Sequence, residues 1–370
     1  MIKIDSFINE LKKNDLKFSS GVPDSLFKDL CFGFEKKFQR DHVTAANEGS
    51  AVGIGIGYHL STKRIPIVYM QNSGLGNAIN PLISLADKNV YNVPLFLIIG
   101  WRGEKHQSFV DEPQHIAQGK VTENFLKNLN IKYKVINANT NYKNEIKKLK
   151  NYAKKKSQVV ALLIKKNSFE KIKKKKSIQN KNLLRENILE ILINKMPKKS
   201  IVVSTTGILS RELNEVIKRN KASINNLMCV GGMGHAISVA SGLAKKQRKK
   251  IFCFDGDGAI TMHLGSLATS SQLNNIVHIV FNNYSHESVG GHDNSAKHVK
   301  FYKVAKNLGY KHSVLCNKKN KVLDSLKKSL KSKGSFFIEI ITAKGHRSNI
   351  SRPSEKMINL KDKFINSIQK

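Results

Sequence analysis

Short apolar runs alternate with amphipathic stretches along most of the chain. In the first half, the apolar runs predict strands at residues 17–19, 42–45, 65–70, 95–99, 132–136 and 159–164. Between them, residues 53–60 and 142–155 have the apolar spacing of helices. Continuous apolar strands separated by helices are typical of a parallel sheet that is covered on both faces.

A strongly basic segment interrupts this alternation near the middle of the chain. Residues 165–182 read KKNSFEKIKKKKSIQNKN and contain a single acid, Glu170, which favours a solvated linker. A helix at residues 183–195 then restarts the pattern, with strands expected at 201–204, 227–230, 251–254, 276–281 and 336–341. We therefore predict two doubly wound, parallel-sheet α/β domains, residues 1–168 and 183–370, joined by a linker at 169–182. Ligands of such folds bind at the carboxyl ends of the strands.

The charge of the chain changes this picture little. Its 370 residues include 64 Lys and Arg against 27 Asp and Glu, for a net charge of +37, which by itself would suggest nucleic acid. The excess is mostly Lys scattered over predicted helices and loops, so we expect no nucleic-acid partner but an attraction for anionic substrates. There is no apolar run of membrane-spanning length, and the N-terminus lacks the apolar core of a signal peptide, so we expect a cytoplasmic protein without a membrane partner. None of the four cysteines forms a CxxC pair, so we do not expect a zinc site.

The most informative motif follows the predicted strand 251–254. That strand leads into Gly256-Asp257-Gly258, and the next strand ends at Asn282-Asn283. Glycine allows close approach of a diphosphate, a new helix offers free N–H groups, and carboxylate and amide oxygens suit magnesium. The spacing fits neither a helical calcium loop nor a G-x-G-x-x-G dinucleotide motif. The alternative is a tight turn without a ligand.

Two further segments have the same position after a strand. Asn47-Glu48-Gly49 follows the strand 42–45, and Glu48 is either a functional acid or a favourable acid in the first turn of a helix. The glycine-rich segment 230–235 precedes a helix of small residues, so it is either a ligand-binding turn or a turn before a closely packed helix.

Taken together, these motifs resemble those of the thiamine-diphosphate-dependent decarboxylase family, and within it the phosphonopyruvate decarboxylases. The resemblance rests on GDG…NN and on a series of segments that occur in the same order: SGVPDSLFK, NEGSAVGIGIGYHL, VYMQNSGLGNAINPL, LIIGWRGE, DEPQHIAQGK and HESVGG. The chain departs from the family pattern at residues 105–109 and 292–294, which lie towards the substrate end.

The resemblance implies the thiamine-diphosphate-binding fold without a middle domain, and the cofactors thiamine diphosphate and Mg²⁺. Glu48 would hydrogen-bond the aminopyrimidine ring and promote loss of the C2 proton, and Met233 would wedge between the two cofactor rings. The implied metal ligands are Asp257, Asn283 and the backbone carbonyl of Ser285. The implied cofactor-binding residues are Glu48, Gly232, Met233, Gly234, His235, Gly256, Asp257, Gly258, Ala259 and Asn283.

The catalytic residues expected from the resemblance are Glu48, Asp24, Arg102 and His115. Asp24 is alternatively a helix N-cap, and Arg102 alternatively a structural salt bridge. His106 and Arg347 are weaker candidates. The implied reaction is the conversion of 3-phosphonopyruvate, a small anionic 2-oxo acid, to phosphonoacetaldehyde and CO2 in phosphonate biosynthesis. A sulfopyruvate decarboxylase and an acetolactate-forming carboligase are the alternatives. The family pattern also implies a homo-oligomer, at least a dimer, with active sites at the subunit interface.

Overall fold

The chain divides into two units, residues 1–175 and 176–370. The structure, a computed structural model, describes residues 1–104, 111–172, 183–351 and 355–369. The intervening residues 173–182 are far too few for a further domain, so no middle domain separates the units. At the start of the expected linker, the Phe169 ring packs edge-on against Phe7 at 5.0 Å, and Glu170 N–H donates to the Ile2 carbonyl at 3.1 Å.

The first unit contains a parallel sheet, six-stranded among the described residues, in the order β2-β1-β3-β4-β6-β5. Its strands are β1 (Ser19–Gly21), β2 (His42–Thr44), β3 (Ile67–Gln71), β4 (Phe96–Gly100), β5 (Lys132–Ile136) and β6 (Val160–Ile164). Its helices are α1 (Ile4–Lys13), α2 (Lys28–Phe38), α3 (Glu48–Thr62), α4 (Leu75–Ser84), α5 (Pro113–Asn128) and α6 (Tyr142–Lys156).

Hydrophobic cores cover both faces of this sheet. Helices α1, α2 and α6 contribute to one core, for example through Phe7, Leu30 and Ile146. Helices α3, α4 and α5 contribute to the other, for example through Val52 and Leu82. The central strands β4 and β6 are buried at every residue, as expected for strands packed on two sides. The doubly wound arrangement that the sequence predicted is confirmed for this unit.

The second unit repeats the architecture with a parallel sheet, again six-stranded in the described part of the chain, in the order β13-β14-β10-β9-β7-β8. Its strands, together with the short antiparallel pair β11 and β12, are β7 (Ser200–Ser204), β8 (Ile224–Met228), β9 (Ile251–Gly256), β10 (Ile276–Asn282), β11 (Ser285–His286), β12 (His292–Asp293), β13 (His312–Cys316) and β14 (Phe336–Ile341). Its helices are α7 (Arg185–Lys195), α8 (Ile208–Arg219), α9 (Ala236–Ala244), α10 (Asp257–Met262), α11 (Ser266–Ser270), α12 (Phe301–Asn307), α13 (Lys319–Lys331) and α14 (Met357–Ile368). Cores again lie on both faces, one against α7, α8 and α13 and the other against α9 to α12 and α14.

The order of the strands locates the ligand edge of each sheet. In the first sheet the winding reverses between β1 and β3, and in the second between β7 and β9. Loops after these strands diverge at such a reversal and leave a crevice in which ligands of α/β folds bind. Of the described helices, none combines the length and apolar character needed to cross a membrane.

Candidate functional site

In the first unit, Glu48 is the first residue of α3, directly after the edge strand β2. Asn47 caps the helix, because its side-chain oxygen accepts a hydrogen bond from Ser50 N–H at 2.8 Å. The capping role is therefore taken by Asn47. Glu48 is 6% exposed, so its carboxyl group is buried at the ligand edge of the sheet.

The Glu48 carboxyl is held between two neighbours from the next segment of the chain. Asn77 of α4 donates from its amide nitrogen to Oε2 at 2.8 Å. Gly74 lies so close that a Cβ placed on it would be 2.5 Å from Oε1. Burial raises the pKa of Glu48 above its usual value, and the hydrogen bond from Asn77 opposes that rise. The sequence reasoning found Glu48 but neither of these neighbours.

Asp24 follows β1 and is 1% exposed. Its Oδ1 accepts from Leu26 N–H at 3.0 Å, whereas Oδ2 has no hydrogen-bond partner within the described residues. Burial raises the pKa of Asp24 to about 6, against the hydrogen bond from Leu26 and the positive charge of Arg102. A Cβ on Gly100, at the end of β4, would meet Oδ2, so the glycine makes room for this carboxyl. A buried carboxyl with one unpaired oxygen is a plausible proton-transfer group.

Arg102 follows β4, but its guanidinium is already engaged. Nε and the terminal NH2 group donate to the two oxygens of Asp111 at 3.0 and 2.5 Å, and NH1 donates to Ser25 Oγ at 3.0 Å. Burial alone would raise the pKa of Asp111, but the hydrogen bonds from Arg102 and from the backbone lower it to about 2. Asn72, which follows β3, accepts from Arg102 N–H at 3.2 Å. Arg102 is thus a firmly oriented, partly neutralised cation.

A cavity of about 420 Å³ opens beside this arginine. Ser25 and Arg102 contribute to its wall, as do residues 165–172 after β6. Within that last segment, Lys165 pairs with Glu104 at 2.8 Å. The remaining cationic residues of the wall are Lys28, Lys166 and Lys171. Two acids, Asp29 and Glu170, also line the wall, and because the cationic residues outnumber them the cavity is a basic recess at the carboxyl edge of the first sheet.

The remaining predicted catalytic candidates are two histidines and one arginine, and their environments differ. His115 lies in the first turn of α5, is 8% exposed, and has Nδ1 3.3 Å from Gln118 Oε1. Burial and then the charge of Arg102 lower the pKa of His115, which favours its neutral form. His106 lies outside the described residues. Arg347, in the second unit, is bound by Glu186 at 2.9 Å and by Glu215.

In the second unit, Asp257 and Asn283 meet at one backbone amide. Asp257 begins α10 and Asn283 follows β10, and they are 3% and 2% exposed. Ser285 N–H donates to Asp257 Oδ2 at 2.9 Å and lies 3.1 Å from Asn283 Oδ1. The two side-chain oxygens therefore converge on one backbone N–H, and carboxylate and amide oxygens are of the kind that magnesium prefers. The predicted third ligand is the carbonyl of the same residue, Ser285, so the three-ligand magnesium site stays a prediction.

A second set of side chains, which sequence reasoning missed, orients these oxygens. Asn294 donates to Asp257 Oδ2 at 3.1 Å, and Asn283 donates its amide hydrogen to Glu287 Oε2 at 3.0 Å. Burial raises the pKa of Asp257 to about 6, although the hydrogen bonds from Asn294, Gly258 and Ser285 counteract it. The only sequence signal for Asn294 was the departure from the family pattern at residues 292–294.

Some glycines of the two predicted turns leave room for a ligand, whereas others pack closely against neighbouring side chains. No atom lies within 4 Å of where a Cβ on Gly232 or Gly256 would be, so their outer sides are open. A Cβ on Gly258 would instead meet the His286 ring at 2.5 Å. Gly234 has φ +85° and packs against Ala259 and Met262. Met233 is partly buried beside it, and the exposed His235 ring stacks on His263 at 4.3 Å.

Thr205 and Thr206 add polar groups where the winding of the second sheet reverses. They follow β7, and Thr206 Oγ1 accepts from Gly231 N–H at 3.2 Å. Thr205 Oγ1 is buried without a hydrogen-bond partner among the described residues, as is Ser285 Oγ. Unpaired buried hydroxyls next to open glycines are what a polar ligand would satisfy. The sequence Ser-Thr-Thr-Gly after a predicted strand was the signal for these residues.

Comparisons with known proteins assign the family. The model "Thiamine pyrophosphate enzyme, N-terminal TPP binding domain" matches residues 4–129, and "Thiamine pyrophosphate enzyme, C-terminal TPP binding domain" matches residues 206–340. Phosphonopyruvate decarboxylase of Streptomyces viridochromogenes is 28% identical over 358 residues, covering 90% of this chain and 87% of the relative. The chain belongs to the thiamine-pyrophosphate-dependent decarboxylase family. The first match lies within the first unit and the second match within the second unit.

Sulfopyruvate decarboxylases also match this chain, with different coverage. Sulfopyruvate decarboxylase of Methanosarcina acetivorans is 23% identical, over 92% of both chains. The beta subunit of sulfopyruvate decarboxylase from Methanococcus maripaludis is 29% identical over 190 residues, 51% of this chain and 99% of that subunit. These relatives agree on decarboxylation but differ in the substrate that their names give.

The residues of the second unit fit the cofactor of a thiamine-pyrophosphate-dependent decarboxylase. Its diphosphate requires N–H donors and close backbone approach, which the open glycines Gly232 and Gly256 and the first turn of α10 offer. A metal ion bound with it would require hard oxygen ligands, and Asp257 and Asn283 offer a carboxylate and an amide oxygen that accept from the same backbone N–H. The unpaired hydroxyls of Thr205 and Ser285 are consistent with a polar group at this edge.

Proposed function

We propose that this chain catalyses the non-oxidative decarboxylation of 3-phosphonopyruvate to phosphonoacetaldehyde and CO2, with thiamine diphosphate and Mg²⁺. The observation that carries the proposal is the match to a phosphonopyruvate decarboxylase over 90% of this chain and 87% of the relative. A second such enzyme, from Streptomyces hygroscopicus, matches over a similar length at 27% identity.

The metal and diphosphate would be held by the second unit. Asp257, Asn283 and the Ser285 carbonyl would ligate Mg²⁺, and the turns at Gly232 to His235 and Gly256 to Ala259 would receive the diphosphate and the rings. When bound, thiamine diphosphate supplies the electron sink for the electrons released as CO2 leaves. Asn294 and Glu287 would keep the two metal-binding side chains oriented, as is usual for residues behind metal ligands.

Glu48 would exchange a proton with the aminopyrimidine nitrogen of the cofactor. The raised pKa of Glu48 suits this role, because a carboxyl that is easily protonated can share a hydrogen with a ring nitrogen. Asn77 anchors one carboxyl oxygen, and Gly74 leaves space beside the other. The proton donor for the product would be Asp24, whose Oδ2 has no hydrogen-bond partner within the described residues. His115 is the weaker candidate, because its lowered pKa favours the neutral ring, which would have to be protonated before it could donate.

An anionic substrate would be attracted by the basic recess of the first unit. The Arg102 guanidinium is held in a fixed orientation by Asp111 and Ser25, so its charge is directed without loss of side-chain entropy on binding. Phosphonate is close to a dianion near neutral pH, sulfonate is a monoanion, and the pyruvate methyl group is neutral. A recess of this charge should rank the three 2-oxo acids in that order.

The functional unit would be a homo-oligomer, at least a dimer, with active sites at the subunit interface. Large apolar side chains are exposed on the first unit, including Leu60 at 66%, Tyr91 at 65% and Val90 at 50%. Exposed apolar groups of this size are common at protein–protein contacts, which supports an association through this unit.

A sulfopyruvate decarboxylase is the second candidate function. It is favoured by the match to the sulfopyruvate decarboxylase beta subunit along 99% of that subunit. The two candidates share cofactor chemistry and differ in the anion that the substrate carries.

Steady-state kinetics with phosphonopyruvate, sulfopyruvate and pyruvate in parallel test the proposal. We expect the highest kcat/KM for phosphonopyruvate, and a preference for sulfopyruvate would replace the proposed substrate. Chelation and gel filtration should abolish activity, and thiamine diphosphate with Mg²⁺ should restore it. Asp257→Ala should lose metal and cofactor binding together. Full activity in that variant would refute the assignment of the Gly256-Asp257-Gly258 motif to metal and cofactor binding.

A further inference from the structure

Three side chains with metal-binding atoms cluster in the core of the second unit. Cys253 and Asp255 lie two residues apart on β9, and His278 lies on β10 in register with Cys253. All three side chains therefore project from the same face of the sheet. Each is 0% exposed, and their ligand atoms lie within 4.8 Å of one another. The cluster is separate from the predicted magnesium ligands and has no role in the proposed reaction.

Two atoms of this cluster are buried and unpaired. His278 Nε2 and Asp255 Oδ2 lie 3.5 Å apart, and neither makes a hydrogen bond within the described residues. A charge-assisted hydrogen bond between such groups would be about 2.7–2.9 Å long. Leaving a buried nitrogen and a buried carboxylate oxygen without partners is unfavourable, so the pair lacks a group that would satisfy both.

The spacing of these atoms is compatible with a tetrahedral metal ion. Zinc binds His nitrogen and carboxylate oxygen at about 2.0–2.2 Å and Cys sulfur at about 2.3 Å, which separates adjacent ligand atoms by about 3.3–3.7 Å. The distance between His278 Nε2 and Asp255 Oδ2 lies in this range. The charges also balance once metal binding displaces the proton of the Cys253 thiol into solution, because the resulting thiolate and the Asp255 carboxylate together neutralise a divalent ion.

The groups behind the ligands are arranged as they are around bound metals. The second oxygen of Asp255 accepts from Gly256 N–H at 2.9 Å. Tyr310 Oη lies 3.5 Å from His278 Nδ1 and 2.7 Å from Ser270 Oγ. Metal-binding histidines commonly use their other ring nitrogen in this way, which fixes the ring and its tautomer.

We propose that Cys253, Asp255 and His278 bind one divalent transition-metal ion of the zinc class. The thiolate selects against magnesium, which prefers oxygen ligands. The site is enclosed by apolar side chains such as Phe337, whose ring lies 5.2 Å from His278, so the ion has a structural role. It links β9 to β10 directly beneath the Gly256-Asp257-Gly258 turn. The sequence did not predict the site because its ligands have no CxxC spacing and come from two strands.

Metal analysis of the purified, folded protein tests the proposal. We expect about one zinc-class ion per chain, retained during dialysis against a chelator and released when the chain is unfolded in its presence. Refolding with Co²⁺ should then produce the near-ultraviolet charge-transfer absorption of a cobalt thiolate. A wild-type protein with less than about a tenth of an ion per chain, and no such absorption after refolding with Co²⁺, overturns the proposal.

Matched variants locate the ion. Cys253→Ala and His278→Gln should each lower the bound zinc-class metal at least about tenfold. Cys316→Ala, which removes a buried thiol outside the cluster, should keep it. Asp257→Ala should also keep it, so failure of the magnesium assignment and failure of this site give different results. Equal metal content in Cys253→Ala, His278→Gln and Cys316→Ala would place the ion elsewhere and refute the proposal.

Discussion

Asn77 donates a hydrogen bond to Glu48, with its amide nitrogen 2.8 Å from Oε2 of the carboxyl group. Glu48 begins α3, and Asn77 lies in the first turn of the neighbouring helix α4. The first turns of the two helices meet at the ligand edge of the first sheet. The bond fixes one oxygen of a buried acid whose pKa is raised by its surroundings. The orientation of Glu48 therefore depends on α4 as much as on its own helix.

Glu48→Gln should separate binding from proton transfer. The amide has the same shape and still fits beside Asn77, so we expect the fold and most of the cofactor affinity to remain. Removing the ionisable group should slow hydrogen–deuterium exchange at C2 of the cofactor by about 10²-fold or more. Exchange followed by NMR measures this directly, and an unchanged rate would show that Glu48 is only an acid at a helix start.

Gly74→Ala should disturb Glu48 without straining the backbone. Gly74 has an ordinary φ of −74°, but its new Cβ would lie 2.4–2.6 Å from the Glu48 side chain, which would have to move. A displacement of about 1 Å at such a group can lower kcat by about 10²-fold. Gly76→Ala is the matched control, because no atom lies within 4 Å of its added Cβ. Equal activity of the two variants would contradict the proposed position of Glu48.

Asp24→Asn should stabilise the cofactor-free protein increasingly as the pH rises. The pKa of Asp24 is raised from 3.8 to about 6 by burial, so the protonated form is favoured in the folded state. The stability that Asp24 contributes is thus fully present below about pH 3.8 and is lost as the pH rises through about 6. Relative to the variant, the wild type should lose about 2 kcal/mol between pH 4.5 and pH 8. Urea unfolding at both pH values measures the difference, and Asp324→Asn, at an exposed position, is the control.

Arg102→Met should discriminate between a substrate contact and a structural salt bridge. If Arg102 contacts the substrate anion, its loss should lower kcat/KM for phosphonopyruvate by about 10- to 100-fold and affect pyruvate much less. If both substrates are affected equally, Arg102 acts by positioning α5 through Asp111. Asp111→Asn then serves as the companion variant, since it disturbs the same pair while retaining the cation.

Mixing two inactive variants should restore activity if sites form between subunits. Glu48→Gln and Asp257→Ala alter different units of the chain, so a hybrid oligomer can contain a site with both residues intact. We expect activity to reappear after the variants are unfolded and refolded together but not after either is refolded alone. Light scattering at the assay concentration gives the oligomer size, and a fully active monomer would refute the expectation.

The sequence predicted the most apolar strands of the fold well. Residues 336–341 were predicted with the bounds that β14 has, because almost all of them are apolar, and residues 132–136 were predicted with the bounds of the outer strand β5. Strand β13 was not predicted, since it is an edge strand that begins with His312 and Ser313 and is only half-buried over most of its length. The first strand was placed two residues early, because Ser19 to Gly21 are small residues whose burial depends on packing by Tyr69.

The residues of the candidate site were likewise predicted only in part. The sequence predicted Asp257, Asn283 and Glu48 because each directly follows an apolar strand, and the structure brings Asp257 and Asn283 together. It did not predict Asn77 or Asn294, which act on residues 29 and 37 positions away. Such hydrogen-bond partners are set by tertiary packing. The sequence around an isolated Asn in a helix or loop does not indicate which distant side chain it will contact.

The outer strand β5 has a consequence for the behaviour of this basic chain in solution. It closes one side of the first sheet, and its Lys132 and Lys134 are exposed while Ile136 is buried. Charged side chains on an outer strand repel a second strand that would otherwise pair with its free backbone groups. Part of the lysine excess is thus expected to protect the protein against aggregation. Replacing both lysines with valine would leave an apolar outer strand that could pair with a strand of another molecule.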